Sequence, residues 1–207
     1  MLRSTDKTIN LLTLLSLLLL SACAGSSELM RDIAPEKANY NTQADKALVV
    51  FMRPSGLGFA VQSSVFEIVD DKPVFLGIVS AKTKVAHYTD SGEKRFMVIG
   101  ESADFMGGTL DSGKVYYSLV TPRMGLWKAR FSLRAIHKED LQSAEFAGWY
   151  KDTRWVENLD TAKEWASENM ADILEKMNDD WPEWQEKANK PMLASDDGLE
   201  KPFQPPQ

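Results

Sequence analysis

The 207-residue chain has little of what most catalytic and metal centres are built from: one cysteine and two histidines. One cysteine cannot close an internal disulfide or supply a thiolate metal cluster, so its position matters more than its number. Neither a Gly-x-Ser-x-Gly elbow nor a His-x-x-x-His or His-x-x-Glu-His spacing occurs, which leaves an elbow-type hydrolase and a zinc site without a motif. There is also no excess of positive charge. With 24 Lys+Arg against 30 Asp+Glu, the acidic balance argues against general nucleic-acid binding. No apolar run is long enough to cross a bilayer: the leucine-rich stretch Leu11–Leu20 has ten residues, where about 20 are needed. What the chain does have is 43% apolar residues and 10% aromatics, enough to bury a core and too many for wholesale disorder.

The first 22 residues have the build of an export signal, with Arg3 and Lys7 preceding the leucine stretch, a charged start and a short apolar middle. The stretch ends in Leu20-Ser21-Ala22-Cys23, which resembles the lipobox of bacterial lipoproteins. The resemblance implies cleavage between Ala22 and Cys23 and a diacylglyceryl thioether on Cys23, which becomes the first mature residue. Two or three acyl chains hold a protein stably where one holds it only marginally. Ala24 follows the cysteine, and the absence of Asp there implies the outer membrane of a Gram-negative cell, on its periplasmic side.

Residues 23–45, rich in Ser, Asn, Ala, Glu and Asp, lack a sustained period and predict a flexible tether with a reach of about 25 Å. Residues 46–137 predict strands. Ala47–Met52 is a continuous apolar run closed by Arg53-Pro54-Ser55-Gly56, and Asp70-Asp71-Lys72-Pro73 separates two further strand-like segments as a hairpin turn. Phe131, Leu133 and Ala135 alternate with Lys128, Arg130, Ser132 and Arg134, the signature of a strand with one wet face. About seven short strands with no helix between them predict a mainly β protein, an antiparallel immunoglobulin-like sandwich. From Lys138 to Lys190 the period becomes helical: Leu159, Ala162, Trp165, Ala166, Met170 and Ile173 form an apolar stripe. Pro182 predicts the start of a second short helix. Residues 191–207, with Pro202, Pro205 and Pro206, predict a disordered tail.

The segments Ala47–Gly56, Phe66–Lys72 with Leu76-Gly77, and Gly113-Lys114-Val115-Tyr116-Tyr117 resemble a family of bacterial lipoproteins carrying domain of unknown function 2846. The resemblance covers about 90 of the residues after the signal and not the Trp-rich C-terminus. It implies a small β-sandwich in the cell envelope, and it assigns neither an activity nor functional residues.

The chemistry-bearing residues give no constellation. His87 lies in an alternating strand and His137 at the strand-to-helix corner, and Asp70-Asp71 suits a turn better than a carboxylate dyad. Glu101 and Asp104 lack the ligand spacing of a calcium loop. No cofactor is implied. Charge asymmetry is what rises above background: residues 46–137 carry a net +4 and residues 138–207 a net −9. Lys128, Arg130 and Arg134 share one face of the last strand and form a candidate charged interaction face. Three uses compete for it: docking of the acidic C-terminal helix, contact with an envelope protein or anionic lipid, and a solvated face whose charges contribute roughly 0–1 kcal/mol per pair. The sequence thus points to a lipid-anchored, non-catalytic binding or structural module of the envelope. An envelope hydrolase with an unrecognised site is the rival.

Overall fold

The computed structural model describes residues 29–124 and 129–206; the segment expected to be an export signal, Ala22, Cys23, Trp127 and Lys128 lie outside the described residues. Among the described residues the chain is mainly β. The first five strands are β1 (Met30–Asp32), β2 (Ala47–Arg53), β3 (Ser64–Val69), β4 (Lys72–Ile78) and β5 (Thr83–Thr89). The next four are β6 (Gly92–Ile99), β7 (Ala103–Leu110), β8 (Val115–Met124) and β9 (Ala129–Ala135). Three helices follow, α1 (Ala144–Lys151), α2 (Asp160–Glu168) and α3 (Met170–Glu186), with β10 (Arg154–Asn158) between the first two and β11 (Met192–Leu193) after the last. One sheet has the order β1-β10-β5-β2-β8-β9 and the other β11-β7-β6-β3-β4.

The two sheets pack face to face, and each also has its outer face covered. Val49, Phe51, Val65, Phe96, Val98 and Phe131 belong to the core between them, where the rings of Phe51 and Phe96 meet edge-on at 5.3 Å. On the outer side of the first sheet, Leu48, Val50, Met52 and Tyr117 are covered by Phe146 and Tyr150 of α1 and by Phe203 of the tail. On the outer side of the second, Phe66, Met97 and Phe105 are covered by Ile173, Trp181 and Trp184 of α3. The layers are therefore helix, sheet, sheet, helix. This explains the run Ala47–Met52: all seven residues of β2 are buried, because successive side chains enter two different cores.

The architecture differs from the sequence expectation in several places. The sheets are mixed rather than wholly antiparallel: β2 runs parallel to β8, β10 to β5 and β11 to β7. A strand buried on both faces tolerates such pairing because helices and crossing segments cover it. Eleven strands replace about seven, and β7 is the most instructive addition, since Gly107-Gly108 looks like a separator. In the structure both glycines lie inside β7, and a Cβ on Gly108 would stand 2.8 Å from the Cβ of Leu193. The glycines admit the close approach of β11.

Part of the expected tether belongs to the fold. Met30–Asp32 pairs antiparallel with β10, and Tyr40 packs on Trp155 with ring centroids 4.7 Å apart. The tail is ordered as well: Val115 and Leu199 exchange backbone hydrogen bonds of 2.8 and 2.9 Å, and Phe203 N–H donates to Tyr117 Oη at 2.8 Å. Proline content alone suggested disorder, yet these prolines flank groups that seal an open apolar face. The helical region is not a single appendage. Its elements cover two different sheets, and Pro182 lies inside α3 rather than at the start of a new helix. Trp184, whose Nε1–H donates to Phe105 O at 2.8 Å, helps keep that proline-containing helix on β7. The β3–β4 hairpin does turn at Asp70-Asp71, with φ of 49° and 58°, as the two-residue turn of a right-twisted hairpin requires.

A substitution series separates the tight glycine from a free one. Gly108→Ala should lower the urea unfolding free energy by about 1–3 kcal/mol through overpacking against Leu193. Gly56→Ala, where an added Cβ meets nothing within 4 Å, should change it by less than about 0.5 kcal/mol.

Candidate functional site

The described members of the charged face have different surroundings. Arg130 is exposed and makes no ion pair among the described residues. Arg134 lies 3.6 Å from Asp140, with its guanidinium 5.5 Å from the Trp149 ring centroid. The acidic helices do dock on the sandwich, but on its other side: Trp165 of α2 meets Phe75 of β4 at 6.1 Å. Charge attraction to the β9 arginines does not place them; burial of the Trp165 stripe does.

Strand alternation brings a polar cluster to one end of the inter-sheet core. Val65 and Glu67 of β3 point inward, and so do Val85, His87 and Thr89 of β5. Glu67 is 5% exposed. It accepts hydrogen bonds from His87 Nε2 at 2.7 Å and Thr89 Oγ1 at 2.8 Å, and Lys94 Nζ lies 3.2 Å away. Burial by itself pushes the Glu67 carboxyl up, but the His87 and Thr89 hydrogen bonds and the charges of His87 and Lys94 outweigh it and hold it below its ordinary range. The carboxylate stays ionised, with its lone pairs largely engaged. A second histidine–carboxylate pair joins His137 Nδ1 to Asp197 Oδ2 at 3.0 Å. Asp197 also accepts the Lys138 N–H at 2.9 Å and the Ala194 N–H at 2.7 Å, and so ties the tail to the end of β9.

Among the described residues, no group of three His, Cys, Asp or Glu side chains is placed to hold a metal ion. Among the described residues, no hydroxyl pairs with the other ring nitrogen of His87 or His137. Ser91 and Lys94 stand at a Ser-x-x-Lys spacing. That spacing unites the two side chains on a helix, whereas here Lys94 belongs to β6 and points to Glu67.

Beside the Glu67 cluster lies a cleft of about 680 Å³ lined by Lys94, Arg95, Lys190, Trp181 and Trp184. Trp181 and Trp184 are stacked at 5.1 Å. Arg95 lies 5.3 Å from the Trp181 ring centroid and Lys190 5.5 Å from that of Trp184. Glu67, Asp70 and Glu93 also line it, and Arg95 pairs with Asp71 at 2.7 Å, so the charges balance and the stacked rings with polar groups around them suit a hydroxyl-rich ligand. Each of these residues is unremarkable in the sequence; only the return of α3 across β6 and β7 unites them.

A second cleft, of about 740 Å³, is walled by Tyr150 and Trp155 and floored by Lys84. Lys84 is 3% exposed. Its Nζ donates to Tyr150 O at 2.6 Å and Thr153 O at 2.7 Å and stands 3.9 Å from the Tyr150 ring centroid. Burial lowers its pKa to about 8. With its protons already spent on carbonyls, Lys84 fastens the α1–β10 turn to β5. Neither the family models nor the curated proteins provide a match to this chain.

Two pH effects follow. The depressed Glu67 carboxyl stabilises the fold above its ordinary pKa of 4.5, and this is lost as pH falls from there through the folded value. Glu67→Gln should weaken the fold at pH 7 and flatten the acid limb of its stability curve, measured by urea unfolding. Lys84 acts in the opposite range. Between pH about 8 and its ordinary 10.5, the unfolded chain binds the proton that the folded chain has released, so unfolding free energy rises with pH. In Lys84→Met, unfolding at pH 7.5 and 9.5 should show that rise removed.

Proposed function

We propose that this chain is a lipid-anchored lipoprotein of the cell envelope, facing the periplasm from the outer membrane and acting as a non-catalytic binding or structural accessory module. The observation that carries the reading is the place of the only cysteine, directly after Leu20-Ser21-Ala22. Ala24 after Cys23 supports the outer membrane, and the resemblance to lipoproteins of domain of unknown function 2846 supports the same compartment.

Binding is favoured over the rival hydrolase by the condition of the buried acid. Glu67 is already satisfied by His87, Thr89 and Lys94, so it is better suited to holding a fixed charge than to taking a substrate proton. The cleft in which Trp181 and Trp184 meet both bases (Lys94, Arg95, Lys190) and acids (Glu67, Asp70, Glu93) supports a hydroxyl-rich envelope component as the bound partner.

Cys23→Ser should accumulate as an unprocessed, unacylated precursor. Intact-mass measurement and fatty-acid labelling of membrane fractions test this, and a mutant that is still cleaved and found in the same membrane overturns the reading.

A further inference from the structure

The loop between β2 and β3 exposes the two most solvent-accessible large apolar side chains among the described residues, Phe59 at 76% and Leu57 at 54%. Apolar side chains on a solvated loop normally find cover or mark a contact surface. This loop is held in place from beneath. Arg53, fully buried at the end of β2, donates Nη2 to Leu57 O at 3.0 Å and Gly58 O at 2.6 Å. Its Nη1 donates to Val61 O at 2.9 Å and Ser63 Oγ at 3.2 Å. The guanidinium has no carboxylate partner among the described residues and lies 4.5 Å from the ring centroid of Phe131. A buried guanidinium whose hydrogen bonds go to the loop's own carbonyls fixes the loop's shape, so the apolar display does not have to be ordered upon contact.

The rim of this apex is basic. No residue from Pro54 to Ser63 is charged. Phe131, on which Arg53 rests, also accepts a hydrogen bond at its carbonyl from Arg123 Nη2 at 3.4 Å. Arg123 stands directly opposite Arg130 in the β8–β9 ladder. Like charges directly opposed across strands destabilise a hairpin, and only Arg123 has an acid near it, Asp104 at 4.0 Å. Two apolar side chains at a pinned apex beside two facing arginines match a membrane surface, with the apolar groups at the acyl boundary and the arginines at phosphates.

We propose that the Leu57–Phe59 apex is a second membrane contact, entering an anionic lipid surface with Arg123 and Arg130 on its headgroup phosphates. This rests on the lipid-anchor reading, which supplies the membrane. The geometry is compatible with both contacts at once. Cys23 to Glu28 is six residues, which at full extension span about 20 Å. Arg53 pairs level with Thr83, and Thr83 with Arg154, while Met30 pairs with Asn158 four residues further along β10. Met30 is therefore about 13 Å from the level of Arg53 along the strands. An inclined domain places anchor and apex on one bilayer.

The test uses the full acylated protein in vesicles of phosphatidylethanolamine and phosphatidylglycerol. With Cys23 acylated, Phe59→Cys introduces the only free thiol, and a nitroxide there reports depth by power saturation with oxygen and a water-soluble nickel chelate. Immersion predicts a several-fold lower nickel accessibility at position 59 than at the exposed control Glu168→Cys, with oxygen accessibility raised. It also predicts loss of that difference when Arg123→Glu and Arg130→Glu are added, or when phosphatidylglycerol is omitted. Equal nickel accessibility at the two positions overturns the proposal. So does shielding from both relaxers, which marks a protein partner. Labelling of Cys23 in the unsubstituted chain would instead reject the anchor, and the two failures are thus distinguishable.

Discussion

Strand β2 has no solvent side, and the arrangement of the other layers follows from that. Val49 and Phe51 enter the core between the sheets, while Leu48, Val50 and Met52 point the other way. Each such side chain contributes about 1.5–3 kcal/mol when fully buried, so the outer face cannot be left wet. Helix α1 covers part of it, and the tail covers more through Leu199 and Phe203. The second sheet presents the same demand through Phe66, Met97 and Phe105, and α3 meets it. The order of the tail and of residues 29–45 is a consequence of this double burial rather than of local preference.

Charged groups buried at the margins act as fasteners between segments that are distant in sequence. Glu67 links β3 to β5 and β6, Lys84 holds the α1–β10 turn, and Asp197 ties the tail to the end of β9. Arg53 does the same for the loop that carries Phe59. Each group is stable in its site because its hydrogen-bonding capacity is largely used by neighbours, since a buried charge left unpaired is costly. The same saturation makes these groups better suited to shaping surfaces and clefts than to exchanging protons with a substrate. The proposed binding role and the proposed membrane contact both depend on surfaces held in this way.

Much of the local structure is legible in the sequence. The Ala47–Met52 run, the alternation of Phe131, Leu133 and Ala135, the Asp70-Asp71 turn and the apolar stripe through Trp165 each contain their own periodicity. The candidate clefts are not legible, because Lys94, Arg95, Trp181 and Lys190 meet only through the docking of α3, and Lys84 occupies a strand position with no sign of burial. Gly107-Gly108 and Pro182 misdirect for one reason: both are ordinary breakers whose effect is overruled by a neighbouring element, β11 in one case and β7 in the other.

Residues adjacent in the chain or one period apart are enough to establish that β segments dominate, that the helices are amphipathic, and that the only cysteine follows a lipobox-like tripeptide. Tertiary structure decided the parallel pairings, the partner of the acidic helices, the order of the tail and the display of Phe59. Those outcomes depend on which apolar faces remain to be covered once the two sheets have met, and that condition is set by contacts between residues far apart in the chain, such as Met30 with Asn158.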